Sequence, residues 1–516
     1  MKRDGVAPRV QRFLGTAAMG LAMCVLAAIA VSSLFVTARL YSSGRRSEDI
    51  AFLRDALLPN LALTLGLLAV LVLAYRLLVR CARRRLTAGL CALWLALTLI
   101  LVLGTNLGQM YDLAYVCEAA QLFAQGNYKA MQVDYFNAYS YQLGFCLPME
   151  MLLRLLPGID LNRFMQALNA VLSLATAGAL SALCGQLFPE SGAPRAAMLL
   201  FVTFLPAMFY CMLVYSTLPM MLLASLSMLC FVHLLRTGKA RYGVLYALLI
   251  AAAYMVKLNA AVPLLAMGIA AVLAAMEGGD WRLPAFAVLS AAAAVLLSRC
   301  AILQYELRSG ITLREDVSAL ARLAMALQEG GASAGWFNGF TEQFFTPEVT
   351  AEQERAAAAA ALSQRLAQMR ADLPMTAAFF RDKLLSQWQE PAYGTLWYGN
   401  LCEGTGALAG AAQALFAQDG ALRAALERMM NIGQQALYVL ACIGMAGALR
   451  RRRDAAQMIL PLTILGGFLY HMIFEAKSQY IYVYALYMIP LAAQGLCMLS
   501  DGAARLSRAE RTRRRA

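Results

Sequence analysis

Apolar runs of about 18–25 residues recur along this chain from Phe13 to Leu499, and no other feature constrains its fold as strongly. A run of that length crosses hydrocarbon only as a helix, because every backbone N–H and C=O must then find its partner inside the segment. The composition agrees: 61% of residues are hydrophobic and 14% charged, too apolar for a water-soluble domain around one core. Reading apolar runs between polar breaks gives about twelve spans, near 13–38, 57–79, 87–105, 163–187, 195–214, 217–235, 242–257, 260–276, 283–300, 432–449, 456–474 and 480–499. The expected fold class is therefore all-α, a polytopic membrane protein with about twelve transmembrane helices.

The net charge of +14 would suit nucleic acid, but the basic residues sit in short clusters between apolar runs, which is a topology signal. Lys2, Arg3, Arg9 and Arg12 precede the first span, and Arg80, Arg83, Arg84 and Arg85 follow the second. Arg236, Lys239 and Arg241 follow the sixth, Arg450 to Arg453 the tenth, and Arg505, Arg508, Arg511 and Arg513 to Arg515 the last. An even count puts every cluster on one side, so a multi-pass protein of the cell membrane with both termini cytoplasmic is expected. No nucleic-acid partner is implied. Val36-Thr37-Ala38 resembles a signal-peptide cleavage site, yet the preceding apolar run is longer than an ordinary signal core, so the first span reads as retained. The twelve cysteines include no CxxC and no Cys/His group with metal spacing. Whether Cys117 and Cys146, both in the first long loop, form a disulfide is left open.

Two long segments fall opposite the basic clusters, and they divide the chain. Residues 1–86 form a tail and two spans; 87–300 form a membrane core that contains the first loop, 106–162; 301–430 form a long second loop; 431–516 carry the last spans and a basic tail. Roughly half of the acidic residues lie in the second loop. Within the first loop, Ala138 to Leu156 is apolar but short and carries Glu150 and Arg154, so it reads as interfacial rather than spanning. Within the second, "ERAAAAAALSQRLAQMRADLP" reads as a solvent-facing helix that stops before Pro374.

Chemistry is sought where charge interrupts these patterns. In "NLGQMYDLAYVCEAAQLFAQGNY" Asp112 directly follows the third span, at the start of a short helix ended by Gly126-Asn127. An acid near a helix N-terminus is favourable in itself. The same carboxylate, held between lipid and water, would also be basic enough to take a proton from a hydroxyl. Asp134, Tyr135, Tyr139, Tyr141 and Gln142 follow in the same loop and offer the hydroxyls, amide and aromatic faces that suit a sugar. Lys257, in "AAAYMVKLNAAVPLL", either snorkels or meets an anion such as a lipid phosphate. Trp388, Tyr393, Trp397 and Tyr398 in "SQWQEPAYGTLWYGN" are enough for an interfacial aromatic belt, and Glu390 beside Tyr393 is more specific than a belt requires. "FEAKSQYIYVY" places Glu475, Lys477, Gln479 and Tyr480 in the last hairpin on that side.

The stretches "YDLAYVCEAAQLFAQGNY", "DYFNAYSYQLGF", "MVKLNAAVPLL", "WQEPAYG" and "FEAKSQYIYVYALYMIPLAAQGL" together resemble the GT-C class of glycosyltransferases. The likeness is to the protein-mannosyltransferase-like family 39 enzymes of bacterial type, which use polyprenyl-phosphate sugars, and it covers most of the chain beyond Leu90. The resemblance implies Asp112 as catalytic base and Lys257 as a contact for the donor phosphate. It implies a polyprenyl-phosphate-linked sugar as donor, surrounding membrane lipids, and a protein, lipid or glycan acceptor outside the cytoplasm. Asp134, Tyr135, Tyr139, Gln142, Glu390, Tyr393, Glu475, Lys477, Gln479 and Tyr480 would then line the substrate cleft. The sequence departs from the family pattern in lacking a DxD or ExD, and in having "YSYQL" at Tyr139 to Leu143 where several members have His-Pro-Pro or Lys-Pro-Pro. No cofactor is implied, and dependence on a divalent metal is left open. Residues 13–79 look additional to the shared core. Two rivals stand: a cell-surface glycan polymerase or ligase working through Arg308, Arg314 and Arg322, and a transporter or lipid-linked glycan flippase, which would carry polar or broken helices at mid-membrane.

Overall fold

The apolar runs do become helices. The computed structural model of the chain describes residues 6–44, 46–80, 84–189, 192–278, 280–313, 316–346, 348–450 and 454–513. Among these, 10 helices are long and apolar enough to cross a membrane: within Val10–Ser33, Leu57–Val79, Arg85–Thr105, Leu161–Leu187, Thr217–Thr237, Leu258–Gly278, Arg282–Ser309, Ala421–Arg450, Ala455–Ile473 and Ser478–Arg505. The two remaining expected spans are shorter apolar helices, Ala193–Thr203 and Ala240–Val256. The chain is an all-α polytopic membrane protein. Local chemistry sets the ends: Asp160 caps Leu161–Leu187 by accepting from Arg163 N, and Gly238, at φ 63°, closes Thr217–Thr237 in the left-handed conformation that glycine adopts without strain.

Burial grades the bundle. The helix Ser478–Arg513 lies at its centre, with 94% of its apolar window enclosed, whereas Arg85–Thr105 has only 17% enclosed and turns Leu93, Leu97 and Ile100 outward. Outward apolar side chains cost nothing where the surroundings are lipid. The central helix packs against Ala421–Arg450 at backbone contact: a Cβ added to Gly444 would come within 1.9 Å of Leu491 O, and one on Gly495 within 2.0 Å of Leu440 O. Small residues allow such approach, and dispersion then holds helices together where no hydrophobic force between them exists.

Two expected spans are corrected. The first ends at Ser33, not Ala38, and the chain turns into a hairpin of strands Val36–Tyr41 and Asp49–Arg54, paired antiparallel from Val36↔Arg54 to Tyr41↔Asp49. The alternation of apolar and polar residues in "VTARLY" suits a strand with one face covered. The run near 195–214 is not one span but helices Ala193–Thr203 and Leu205–Tyr210, after which the chain unwinds until Thr217. Backbone freed at this depth needs partners, and side chains supply them. Gln166 Nε2 donates to Leu107 O (2.7 Å) and Met212 O (3.0 Å), Asn169 Nδ2 donates to Leu213 O (2.9 Å), and Val214 N donates to Gln109 Oε1 (2.9 Å).

The loops gather on one face. Ser140 N donates to Asp316 Oδ1 (2.8 Å) and Arg322 Nη2 to Ala138 O (3.3 Å), joining the first loop to the second. The hairpin joins them as well: Ala38 N donates to Gln389 O (2.9 Å), and the buried Arg423 donates to Leu40 O (2.9 Å). In the second loop the Ala-rich helix Ala351–Ala371 starts at a capping box made by Thr350 and Gln353. Glu354, Ala358 and Met369 are buried and Ala361, Leu362 and Arg365 half-buried, so it is not wholly solvent-facing. Trp388, Tyr393, Trp397 and Tyr398 form no exposed belt; all four are buried in the core. The short apolar helix Leu143–Leu155 is about 20 Å long, too short to span. Cys117 and Cys146 are buried free thiols.

Candidate functional site

The link between Arg84–Thr105 and Asp112–Ala124 is pinned at every step. Asn162 Nδ2 donates to Leu107 O (2.9 Å), Asn106 Nδ2 donates to Thr405 Oγ1 (2.6 Å), and Asn106 and Tyr111 take positive φ of 40° and 49°. Non-glycine residues hold that conformation only when their surroundings over-determine it. Tyr111 stacks on Trp397 at 6.2 Å, 7° from parallel, and its hydroxyl donates to Arg46 O (2.5 Å). An open cleft of about 270 Å³ lies beside this link, bounded by Arg46, Gln109, Met110, Cys402 and Glu403.

Asp112 opens its helix with the side chain partly exposed yet ringed by protein. That burial raises its carboxyl above the ordinary range, while the charges of Lys477 and Lys257 and a hydrogen bond from Tyr215 oppose the shift and Glu48 adds to it. Tyr215 lies in the unwound segment before Thr217, and its hydroxyl accepts from Gln142 Nε2 (2.5 Å). Lys257 occupies the break between Ala240–Val256 and the turn Leu258–Ala260. It is 9% exposed; its Nζ donates to Ser216 Oγ (3.3 Å) and lies 4.1 Å from the centre of the Tyr215 ring. Lys257 therefore points into the protein and does not snorkel. Two residues before it the backbone packs on Gly144, where an added Cβ would stand 2.0 Å from Met255 O.

The last hairpin supplies the opposite wall. Lys477 Nζ pairs with Glu48 Oε1 at 2.5 Å. Burial lowers this amine, but the Glu48 and Glu475 carboxylates outweigh it and hold the ammonium above its ordinary range. Glu475 accepts from Tyr480 OH (3.1 Å); burial pushes its carboxyl up to about 7, against the charge of Lys477. Gln479 is buried, with Nε2 unpartnered among the described residues. Tyr135 stacks on Tyr115 at 4.8 Å and leaves its buried hydroxyl unpartnered among them too. Tyr139 and Tyr141 lie beneath the Arg322 guanidinium, at 5.7 and 5.4 Å from its centre, and both sense the charge of Asp112.

Asp112, Tyr135, Tyr139, Gln142, Lys257, Glu475, Lys477 and Tyr480 thus form one connected cluster. No family model and no curated protein matches this chain. Glu390 and Tyr393 meet the last hairpin from behind, Glu390 through a hydrogen bond with Ser478 and Tyr393 through its ring contact with Tyr482 at 5.8 Å. Glu390 is buried and clamps a turn, accepting from Ala392 N (3.0 Å) and Gly394 N (2.7 Å), and burial pushes it up to about 7. Tyr393, wholly buried at φ 51°, accepts from Gln434 Nε2 (3.0 Å). Asp134 begins the helix Asp134–Ala138, and its side chain and Arg314 lie outside the described residues. Among the described residues no group of three or more His, Cys, Asp or Glu side chains is placed to hold a metal ion.

Sequence reasoning passed over Glu48 and Tyr215. Glu48 sits in "YSSGRRSED", whose turn residues after an alternating run signal a hairpin. Tyr215-Ser216 is a polar interruption inside a long apolar stretch. Chemically, the cluster offers a carboxyl raised by burial, the Lys477 ammonium, the Lys257 amine that burial pushes down to about 7 against the charge of Asp112, and a set of hydroxyls and amides around them. That combination can deprotonate a hydroxyl, hold a phosphate and hydrogen-bond a polyol.

Proposed function

We propose that the chain is a membrane glycosyltransferase that moves a sugar from a polyprenyl-phosphate donor to an extracytoplasmic acceptor, as GT-C enzymes of the protein-mannosyltransferase type do. The observation that carries this reading is the convergence of Asp112, Lys257 and Lys477 from three separate parts of the chain. In the proposed reaction Asp112 takes the proton of the acceptor hydroxyl as its oxygen bonds to the anomeric carbon. The bond from that carbon to the phosphate oxygen breaks, and polyprenyl phosphate leaves with the electron pair. Lys257 and Lys477 stabilise the negative charge of the leaving group, and direct displacement inverts the anomeric carbon. Tyr139, Gln142, Gln479 and Tyr480 supply hydrogen bonds for the sugar, and Tyr135 an aromatic face. With the basic clusters cytoplasmic, the loop face carrying this site lies outside the cell membrane.

A lipid-linked glycan carrier is the second reading, favoured by the unwound segment between Leu205–Tyr210 and Thr217–Thr237. The polymerase or ligase reading gains less. Arg308 is committed to Glu150 (2.5 Å), which also binds Arg154 (2.8 Å) and Tyr305 (2.6 Å). The test of the donor class is native mass spectrometry of the protein purified in mild detergent. Retention of a polyprenyl phosphate or its glycosyl ester is the expected result, and retention of bulk phospholipid alone would contradict it.

A further inference from the structure

Glu48 has no part in the proton transfer above, yet it holds Lys477, one of the two lysines of the site that would meet an incoming anion. Its carboxylate pairs with Lys477 Nζ at 2.5 Å, and the two side chains keep 21% and 17% of their surface accessible, so the pair lies at the rim. The backbone that carries Glu48 is fixed by neighbours: Trp397 Nε1 donates to Ser47 O (3.0 Å), and Tyr111 OH donates to Arg46 O (2.5 Å). Ser47 Oγ donates to Asp49 Oδ2 (2.6 Å), which closes the turn on itself. Glu48 therefore stands where it does because the turn places it there.

Charge decides what this placement means. Lys477 is neutralised by its ion pair with Glu48, so it has no charge to spare for an anion while Glu48 remains. A phosphate that approaches Lys477 meets the Glu48 carboxylate, and a like-charge contact in a partly enclosed site costs more than it would in water. Glu48 is carried on the hairpin turn and keeps 21% of its side-chain surface accessible, so rotation of that side chain alone would take it off Lys477. Resting on the transferase reading, we propose that Glu48 occupies the phosphate position of the site, and that the phosphate group of the ligand replaces it on Lys477. Glu48 then sets specificity: neutral polyols gain nothing by displacing it, and a phosphate gains an ammonium already fixed in place.

The test measures binding to the full-length protein in detergent, followed by tryptophan fluorescence, because Trp397 touches the turn. Undecaprenyl phosphate and inorganic phosphate are titrated separately into wild type, Glu48→Gln and Glu48→Asp. Glu48→Gln frees Lys477 and is expected to bind undecaprenyl phosphate about tenfold more tightly than wild type, with Glu48→Asp close to wild type. The same ordering with inorganic phosphate would assign recognition to the phosphate group alone. The ordering confined to undecaprenyl phosphate would assign it to a lipid headgroup. Equal or weaker binding by a Glu48→Gln protein of normal melting temperature would overturn the exchange and leave Glu48 as a residue that merely positions Lys477. Failure of all three proteins to bind either probe would overturn the transferase reading and the exchange together.

Discussion

At Asp112 burial and charge pull in opposite directions, and burial wins: the carboxyl is raised despite Lys477, Lys257 and Tyr215. A base must be ionised to accept a proton, so a raised pKa moves the loss of activity on acidification to higher pH. The rate of sugar transfer measured as kcat/KM should fall as pH drops through a limb above the ordinary aspartate value of about 4, and a profile flat down to that value would contradict it. Lys257→Ala should raise KM for the lipid donor by about tenfold or more, with Lys257→Arg keeping part of the wild-type affinity, because a buried ammonium opposite an anion is worth several-fold more than an exposed one. Unchanged donor KM in the Ala variant would leave Lys257 as a packing residue. These residues were legible in the sequence because a single charge interrupting apolar sequence stands out. Glu48 was not, since in sequence it resembles any polar loop residue and only pairing across more than 400 positions brings it to Lys477. Glu390, picked out by its neighbours in sequence, holds the turn at Ala392–Gly394 and bonds to Ser478 in the last hairpin, a link that sequence does not show.

At the scale of elements, hydropathy located the helices but not their interruptions. Val36 to Tyr41 continues the apolar run of the first span, so the switch from helix to strand is hidden unless the two-residue alternation is weighed. The break before Thr217 is hidden for a different reason. Only Tyr215-Ser216 interrupts its apolar residues, and the groups that permit it, Gln166 and Asn169, lie on another helix. Helix pairing was equally invisible, because glycine spacing gains meaning only when two backbones are seen to touch. Gly444→Val and Gly495→Val should each lower stability by about 1–3 kcal/mol through forced separation of the central helices. Gly433→Ala, on the same helix with open space at its Cβ, should be neutral or mildly stabilising. Thermal unfolding in detergent checks this, and a Gly444→Val protein melting with wild type would contradict the packing.

For the whole molecule, the even number of crossings expected from the sequence and the contacts between the two long loops belong together. The site exists only if those loops share a face, as the Ser140–Asp316 and Arg322–Ala138 hydrogen bonds make them do. The proposed orientation then predicts which cysteines a membrane-impermeant reagent reaches, in a background lacking the exposed Cys24 and Cys300. Gln125→Cys and Ala359→Cys, at exposed positions of the two loops, should label in intact cells, and Lys239→Cys only after permeabilisation. Labelling of Lys239→Cys in intact cells would reverse the orientation. The central claim, that this bundle is a transferase with Asp112 as its base, is tested most directly by turnover in lipid nanodiscs. Wild type and Asp112→Asn are supplied with polyprenyl-phosphate sugars and the lipid products are weighed by mass spectrometry. The account predicts conversion of donor to polyprenyl phosphate by wild type and a rate lower by about 10²–10⁴-fold in Asp112→Asn, with donor binding retained. Equal conversion by the two proteins, or donor carried across vesicle membranes unaltered by both, would contradict it.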